Sequence, residues 1–477
     1  MLFFLIRHAD TNYICVTFIV FALSLSTQGI LQYSGILSSS HSKFTITGSF
    51  DNPAGFAAAL ASAFPFCFNY YFEKPLYWKY AAIVSSVIIA CAVFLSGSRA
   101  GILAITSVTA VWVLTKLIRN NRLVKFVVIG VVIAFSTILY FLKKDSADGR
   151  LLIWRSALDM VVDKPVIGHG QGAFQAKYML YQAAYLDKHP ESSYSQLADN
   201  TNHPFNEYLL LLSEHGLLGF SVITLLVLLI ILAYRQNRND TTFSALLSLL
   251  SLAVFSFFSY PFRYPFTWLS MFVAINLISN NNNLHLKFIW QRKPAFISNN
   301  WKQSRFFSFF VHPSQIFIRI ALFFLSTSLL AYSALLTRAE ITWHRIARQA
   351  LAGQTEKVLP KYDKLYTWLG KNGLFLYNLA AELHIANEYE KSIAVFDLCT
   401  HYLNDMDVQM LIADNYRELE KHTEAEQRYK LASSMCPARF VPLYELVQLY
   451  NATGRKEEAL LLAKKSSTRM KRFHRQK

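Results

Sequence analysis

The chain has 477 residues, 53% of them apolar and 15% aromatic but only 16% charged, which excludes an ordinary soluble protein of this length. A net charge of +17 would suit a nucleic-acid binder. The basic residues, however, gather in short connections beside apolar runs, which excludes that class and points to an integral membrane protein.

Runs long enough to cross a bilayer, about 20 residues each, are predicted at 12–33, 54–72, 80–96, 100–118, 123–142, 216–233, 242–259, 264–279 and 316–337. The seventh and eighth form a tight hairpin with Pro261 and Pro265 in its turn. The N-terminus lacks the charged start and small-residue cleavage site of a removable signal, so the first span is expected to be retained. Lys116, Arg119, Arg122 and Lys125 fill one connection, Arg235 and Arg238 another, and Lys287, Arg292, Lys293, Lys302 and Arg305 a third. By the positive-inside rule these face the cytoplasm. Loops 34–53, 97–99, 143–215 and 260–263, and everything after 338, then fall outside. The stretch 143–204 agrees, because its seven Lys/Arg balance seven Asp/Glu. Cys15, Cys67 and Cys91 lie in spans and Cys399 and Cys436 in the tail, with no spacing that suggests a metal site or a disulfide framework.

Polar features collect at the outer face. "SGSRAG" sets Arg99 between two spans among small residues, where it must face protein or water. "DGRLLIWRSALDMVVDKPVIGHGQGAF" predicts a helix with Asp148 as N-cap, with Arg150, Trp154, Ala157 and Leu158 on one face, Arg155 on another, and Pro165 at its end. Gly168, Gly170 and Gly172 then mark a flexible or tightly turned loop. In "HPFNEYLLLLSEHGLLG", His203 is placed as an N-cap and Pro204 in the first turn of a short interfacial helix. That helix runs to Glu214, Gly216 breaks it, and the span begins there. Taken singly, each has a structural role: Arg99 snorkels to headgroups, Arg150 is solvated, His203 caps. Together, two arginines, a histidine and a helix end can hold a phosphate and manage a proton.

From residue 338 the chain becomes a soluble helical segment with an internal repeat. "LYNLAAELHIANEYEKSIAVF", "MLIADNYRELEKHTEAEQRY" and "LYELVQLYNATGRKEEALLLA" align with Ala380, Ala413 and Val447 at one small position and Ser392, Ala425 and Ala459 at a second, at intervals of 33 and 34. Leu383, Tyr416 and Tyr450 take the bulky site between them, and Pro437 closes the second unit. This is similar to the tetratricopeptide repeat, whose small residues let paired helices approach closely.

The ordered segments "GSFDNPAGFAAALA", "LSGSRAGILA", "GRLLIWRSALDMVVDKPVIGHGQGAF" and "HPFNEYLLLLSEHGLLG", over residues 28–260, resemble the bacterial O-antigen ligase and polymerase superfamily, which includes protein O-oligosaccharyltransferases. The resemblance implies an all-α polytopic membrane helix bundle, GT-C-like, spanning 1–337, with a large periplasmic loop at 143–215 and a C-terminal tetratricopeptide-like periplasmic domain at 338–477. It implies a metal-independent, cofactor-free glycosyltransferase in the bacterial inner membrane. The donor would be an undecaprenyl-pyrophosphate-linked glycan, the acceptor lipid A core or a Ser/Thr of an exported protein. Carried over, Arg99 and Arg150 grip the pyrophosphate and His203 is the essential histidine, with Arg155, Asn206, Glu207 and Glu214 as substrate-binding residues. Relatives place a His immediately before the Asn of the "NEYL" segment, where this chain has Phe205. They also usually carry several further spans ahead of "GSFDNP", where this chain has one, so a truncated product or a misassigned start is expected, with a pseudoenzyme as an alternative. A repeat-unit polymerase uses similar chemistry. A non-catalytic membrane anchor for repeats that recruit a periplasmic partner protein is the alternative of another class.

Overall fold

The computed structural model describes residues 10–39, 41–71, 75–118, 121–141, 144–279 and 305–464. Arg119, Lys143, Lys287, Arg292, Lys293 and Lys302 of the charge pattern lie outside them. The described residues are helical throughout, with no strand. The chain divides into two compact units, one of residues 1–139 and 223–332, the other of 140–222 and 333–477. It is a multi-pass membrane protein: among the described residues, five helices are long and apolar enough to cross a bilayer, at Thr11–Tyr33, Leu76–Leu95, Arg99–Lys116, Glu207–Gln236 and Ile320–Leu351.

In the membrane unit, the last turn of α1 (Thr11–Tyr33) carries Gln32, whose buried amide accepts from the N–H of Thr47 (3.0 Å) and Gly48 (2.8 Å) and donates to Gly48 O (3.1 Å). This pins the loop that opens "GSFDNP". Asn52 then caps α2 (Pro53–Ala63), accepting from Ala54 N at 2.8 Å and Gly55 N at 3.1 Å, with Pro53 in the first helical position. The span expected at 54–72 is not one helix: α2 has 11 residues and gives way to a 3-10 segment, Phe64–Tyr70. Both are buried, and α2 is surrounded by α1, α3 (Leu76–Leu95), α4 (Arg99–Lys116), α9 (Asp240–Ser256) and α10 (Pro265–Ser279). Gly101 of α4 lies so close to α2 that a Cβ there would meet Ala57 Cβ at 2.7 Å.

The break in α2 has a stated cause. Pro65 has no N–H for the carbonyl of Ala61, its α-helical partner, or of Ser62, its 3-10 partner. Serines of α9 supply both bonds: Ser251 Oγ donates to Ala61 O and Ser248 Oγ to Ser62 O, each at 2.7 Å. α5 (Arg122–Phe141) is a further apolar helix, α9 and α10 form the expected hairpin around Pro261–Arg263, and Lys116 at the end of α4 pairs with Asp240 at 2.6 Å.

In the second unit, α6 (Lys144–Asp163) and α7 (Ala173–Lys188) precede α8 (Glu207–Gln236), which crosses from one unit into the other. Two caps differ from expectation. Asp148 lies inside α6, which starts four residues earlier, and its carboxylate accepts from Tyr140 Oη at 2.9 Å. α8 begins at Glu207 with Asn206, not His203, as its cap: Asn206 Oδ1 accepts from Tyr208 N (3.0 Å) and Leu209 N (3.1 Å). Asn206 is a better N-cap than His, and Pro204 lies before the helix rather than in its first turn. The face grouping Leu158 with Arg150 also fails, since Leu158 is exposed and α6 buries Leu152, Ile153, Ala157 and Met160.

The last span continues without interruption into the tail as α11 (Arg305–Leu351), whose Trp343 Nε1 bonds Asn378 Oδ1 at 2.9 Å. α12 (Thr355–Leu369) follows, then paired helices: α13 (Gly373–Ile385) with α14 (Tyr389–Cys399), α15 (Met406–Glu418) with α16 (His422–Met435), and α17 (Val441–Ala452) with the helix 456–464. The small positions meet inside the pairs. Ser392 Oγ donates to Ala380 O at 2.7 Å, and Ala413 and Ala425 are fully buried. Between pairs, Asn415 Nδ2 donates to Ser392 Oγ at 2.8 Å, and Glu426 accepts from Arg455 and Tyr450, as well as from Lys430 on its own helix.

Two predictions follow from these contacts. Ser251→Ala leaves Ala61 O without a donor and should lower stability in detergent by about 0.5–2 kcal/mol. Adding Pro65→Ala, which restores a backbone N–H, should recover part of that loss in thermal unfolding. Burial alone would raise the Glu426 carboxyl, but the hydrogen bonds from Arg455, Lys430 and Tyr450 outweigh it and hold the group at about 2, down from 4.5. A lowered carboxyl stabilises the fold above its unfolded value and loses that contribution as pH falls through the folded one. The stability advantage of the wild type over Glu426→Gln should therefore be full above pH 4.5 and disappear by about pH 2, as read by thermal midpoints across that range.

Candidate functional site

α6 packs its buried face on α7, where Phe174 and Tyr178 stack at 4.6 Å between ring centres in a cluster with Ile153, Ala157 and Met160. Between the two helices the chain turns through Gly168, Gly170 and Gly172 at φ of +70°, +96° and +77°, the tight loop that the sequence suggested. This loop is bonded into a kink of α8 at Gly216, whose φ of 60° and ψ of −162° are not helical.

The kink is an exchange of hydrogen bonds. In an unbroken helix Leu217 N would bond Ser213 O and Leu218 N would bond Glu214 O. Here Leu217 N donates to Pro165 O (2.8 Å) and Leu218 N to Val166 O (3.0 Å), while Ser213 O accepts from His169 N and Glu214 O from Gly170 N, both at 2.9 Å. The contact admits no side chain. A Cβ on Gly168 would stand 2.4 Å from the Glu214 carbonyl, and one on Gly216 2.4 Å from Val166 O.

Three turns of α6 before its end, Arg150 lies over the ring of Phe205 at 5.2 Å, and Trp154, one turn further on, donates its Nε1–H to Pro204 O at 3.0 Å. Together they grip the segment that carries His203, which is half-buried. Phe205 takes a φ of +52°, uncommon for an aromatic residue. A cavity of about 210 Å³ opens beside this clamp, lined by Ser146, Arg150, Gln182, Asp199, Thr201 and Phe205 among others.

The other expected residues are placed as follows. Asn206 spends its side chain on the α8 cap and is 7% exposed. Glu207 is the first residue of α8. Glu214 turns its carboxylate to the backbone N–H of Phe174, 3.4 Å away, at the start of α7, so it acts as a cap supplied from another helix. Arg155 is exposed on α6. Arg99 opens α4, whose cap is Ser98, and belongs to the membrane unit, whereas Arg150 and His203 belong to the second unit.

Three features escaped the sequence reading. His169, its side chain 1% exposed, sets Nε2 3.0 Å from Met160 O and Nδ1 3.4 Å from Lys177 Nζ. With Asp163 Oδ2 also 3.5 Å from Nε2, these contacts fasten the glycine loop. The buried Gln182 donates through Nε2 to Met435 O at 2.8 Å. Asp199 accepts two bonds from the Arg439 guanidinium, at 2.7 and 2.9 Å, and its neighbour Asn200 bonds Asp407 at 2.8 Å. Gln182 and Asp199 line the cavity, so its wall is bonded directly to the repeat tail. Only a sequence signal linking positions some 240 residues apart could have found them.

Gly168→Ala should cost about 2–4 kcal/mol, because the substitution adds a backbone clash to an unfavourable φ. Gly172→Ala, with open space around its Cβ position, should cost only about 1–2 kcal/mol. Thermal unfolding of the two variants side by side checks the ranking.

Residues 84–224 match the family model described as O-antigen ligase, a segment that contains Arg99, Arg150, the glycine loop, His203 and the kink. No curated protein matches the chain significantly.

Proposed function

We propose, from the O-antigen ligase domain that residues 84–224 carry, that this membrane protein transfers a glycan from an undecaprenyl-pyrophosphate donor to an acceptor hydroxyl at the outer face of the inner membrane. Ligase- or polymerase-type glycosyl transfer is the role of that domain. The observation that supports a working site in this chain is the clamp, in which Arg150 and Trp154 on successive turns of one helix fix the segment bearing His203 beside a cavity of mixed lining, where Arg150, Gln182 and Asp199 stand among Leu152, Ile153 and Leu197.

The chemistry suits these groups. The acceptor oxygen attacks the anomeric carbon, the bond from that carbon to the pyrophosphate oxygen breaks, and configuration inverts. The electron pair leaves with the pyrophosphate, whose charge a guanidinium stabilises in every protonation state the cell offers. Arg150 lies 5.2 Å from the centre of the Phe205 ring, and its guanidinium is the planar fork of donors that suits a phosphate. Arg99 carries over by its place in "SGSRAG" as a second phosphate-binding arginine. His203 takes the proton of the acceptor hydroxyl. Asn206, Glu207 and Glu214 then act by shaping the helix start and the kink that present His203, not by direct contact with the sugar. We read the tail as a tetratricopeptide-like periplasmic domain that holds the acceptor, lipid A core or exported protein, against the cavity wall formed by Gln182 and Asp199.

Arg150→Ala and His203→Ala should each reduce surface glycan transfer at least about 100-fold at unchanged protein level, with Arg150→Lys recovering little because it lacks the planar fork. Full glycosylation in both alanine strains would overturn the assignment. In a deletion strain, chains of normal length left off their acceptor mark a ligase, and single repeat units mark a polymerase.

A further inference from the structure

We propose that the outer stripe of α6 and the turn after it form a lipid-contacting face, seated in the membrane leaflet next to the span that starts at Gly216. α6 is apolar on two sides. Its inner side, Ile153, Ala157 and Met160, is consumed by packing on α7. On the outer side Leu151, Leu158 and Val162 are exposed, Val162 by 76%. Spacings of seven and four residues set these three on one face of a helix.

The stripe does not end with the helix. It continues into Val166 and Ile167 at the tip of the turn, Ile167 being 69% exposed. Val166 O is the acceptor of Leu218 N, so this apolar tip is bonded to the residues that open the membrane span, where Leu217 and Leu218 are themselves exposed. Continuity with a lipid-facing surface is what selects phospholipid as the occupant. A span of this hydropathy presents its leucines to acyl chains, and the stripe and tip extend that surface, with Asp163 and Lys164 standing between Val162 and the tip. The charges fit the same occupant. Arg155 stands within the stripe, and Lys144 and Lys164 flank it at either end of the helix, all three exposed, while the exposed carboxylate beside them, Asp163, is engaged by Tyr181 Oη at 2.8 Å. That is the pattern of an in-plane helix whose apolar side chains enter the acyl boundary while basic groups reach lipid phosphates. It gives Arg155 a partner other than the substrate. The proposal is independent of the transfer reaction, since it concerns where α6 sits and holds for any activity of the chain.

Photo-crosslinking tests it. A benzophenone amino acid is placed at Val162 or Ile167 of the full-length chain, with Leu225 in the span as lipid-facing control and Lys391 in the tail as aqueous control, in nanodiscs of phosphatidylethanolamine and phosphatidylglycerol. Variants that elute as a single species are irradiated and weighed. The expected result is a phospholipid adduct at 162, 167 and 225 and none at 391. Absence of lipid adducts at both 162 and 167 while 225 is labelled, or capture of a protein there instead, overturns the proposal.

Discussion

A helix in an apolar medium can break only where each carbonyl and amide freed by the break finds another partner, and this one constraint shapes two departures from regular helix, at Pro65 and Gly216. At Pro65 the carbonyls of Ala61 and Ser62 lose their amide partner, and two serines of a neighbouring helix replace it. At Gly216 the solution is reciprocal. Two amides leave their helix for Pro165 and Val166, and the two carbonyls they abandon are taken by His169 and Gly170. Neither break is a defect tolerated by loose packing, because every group involved has a named partner.

The kink sets the geometry of everything before it. The glycine loop that completes the exchange is also the end of α6, so the helix carrying Arg150 and Trp154 is fixed at one end by the span itself. Those two residues then hold Pro204 and Phe205. The segment bearing His203 is thus bounded on one side by the Asn206 cap of α8 and on the other by α6, two helices joined through the same four hydrogen bonds. The His169 ring serves the same end, tying the loop back to the last turns of α6.

The tail belongs to this arrangement and is not a tethered appendage. Its helices share one apolar cluster with α6 and α7, in which Tyr178 and Met179 pack among Met406, Met435 and Leu449. Burial on this scale holds the two parts together. The Asp199–Arg439 pair is about half exposed on both sides and adds little energy. Its bidentate geometry, with the buried bond from Gln182, instead fixes the register of the contact.

Composition and period alone decided that this is an all-helical membrane protein, because the need to hide apolar side chains and satisfy backbone groups leaves one architecture for such a chain. They also located the α9–α10 hairpin, the break at Gly216, the tight glycine loop, the end of α6 at Pro165 and the paired small residues of the tail. These depend on neighbours within a few residues or on a fixed repeat. The helix starts were misplaced where two local candidates competed: His203 lost to Asn206, and Asp148 to an earlier start, since capping strength depends on which backbone N–H groups the fold leaves open. What only the tertiary structure decided is the use of each polar side chain. Glu214 became a cap for another helix, Gln182 and Asp199 became links to the tail, and Arg150 met Phe205, because each of those partners lies tens to hundreds of residues away and no local pattern encodes a contact made through folded space.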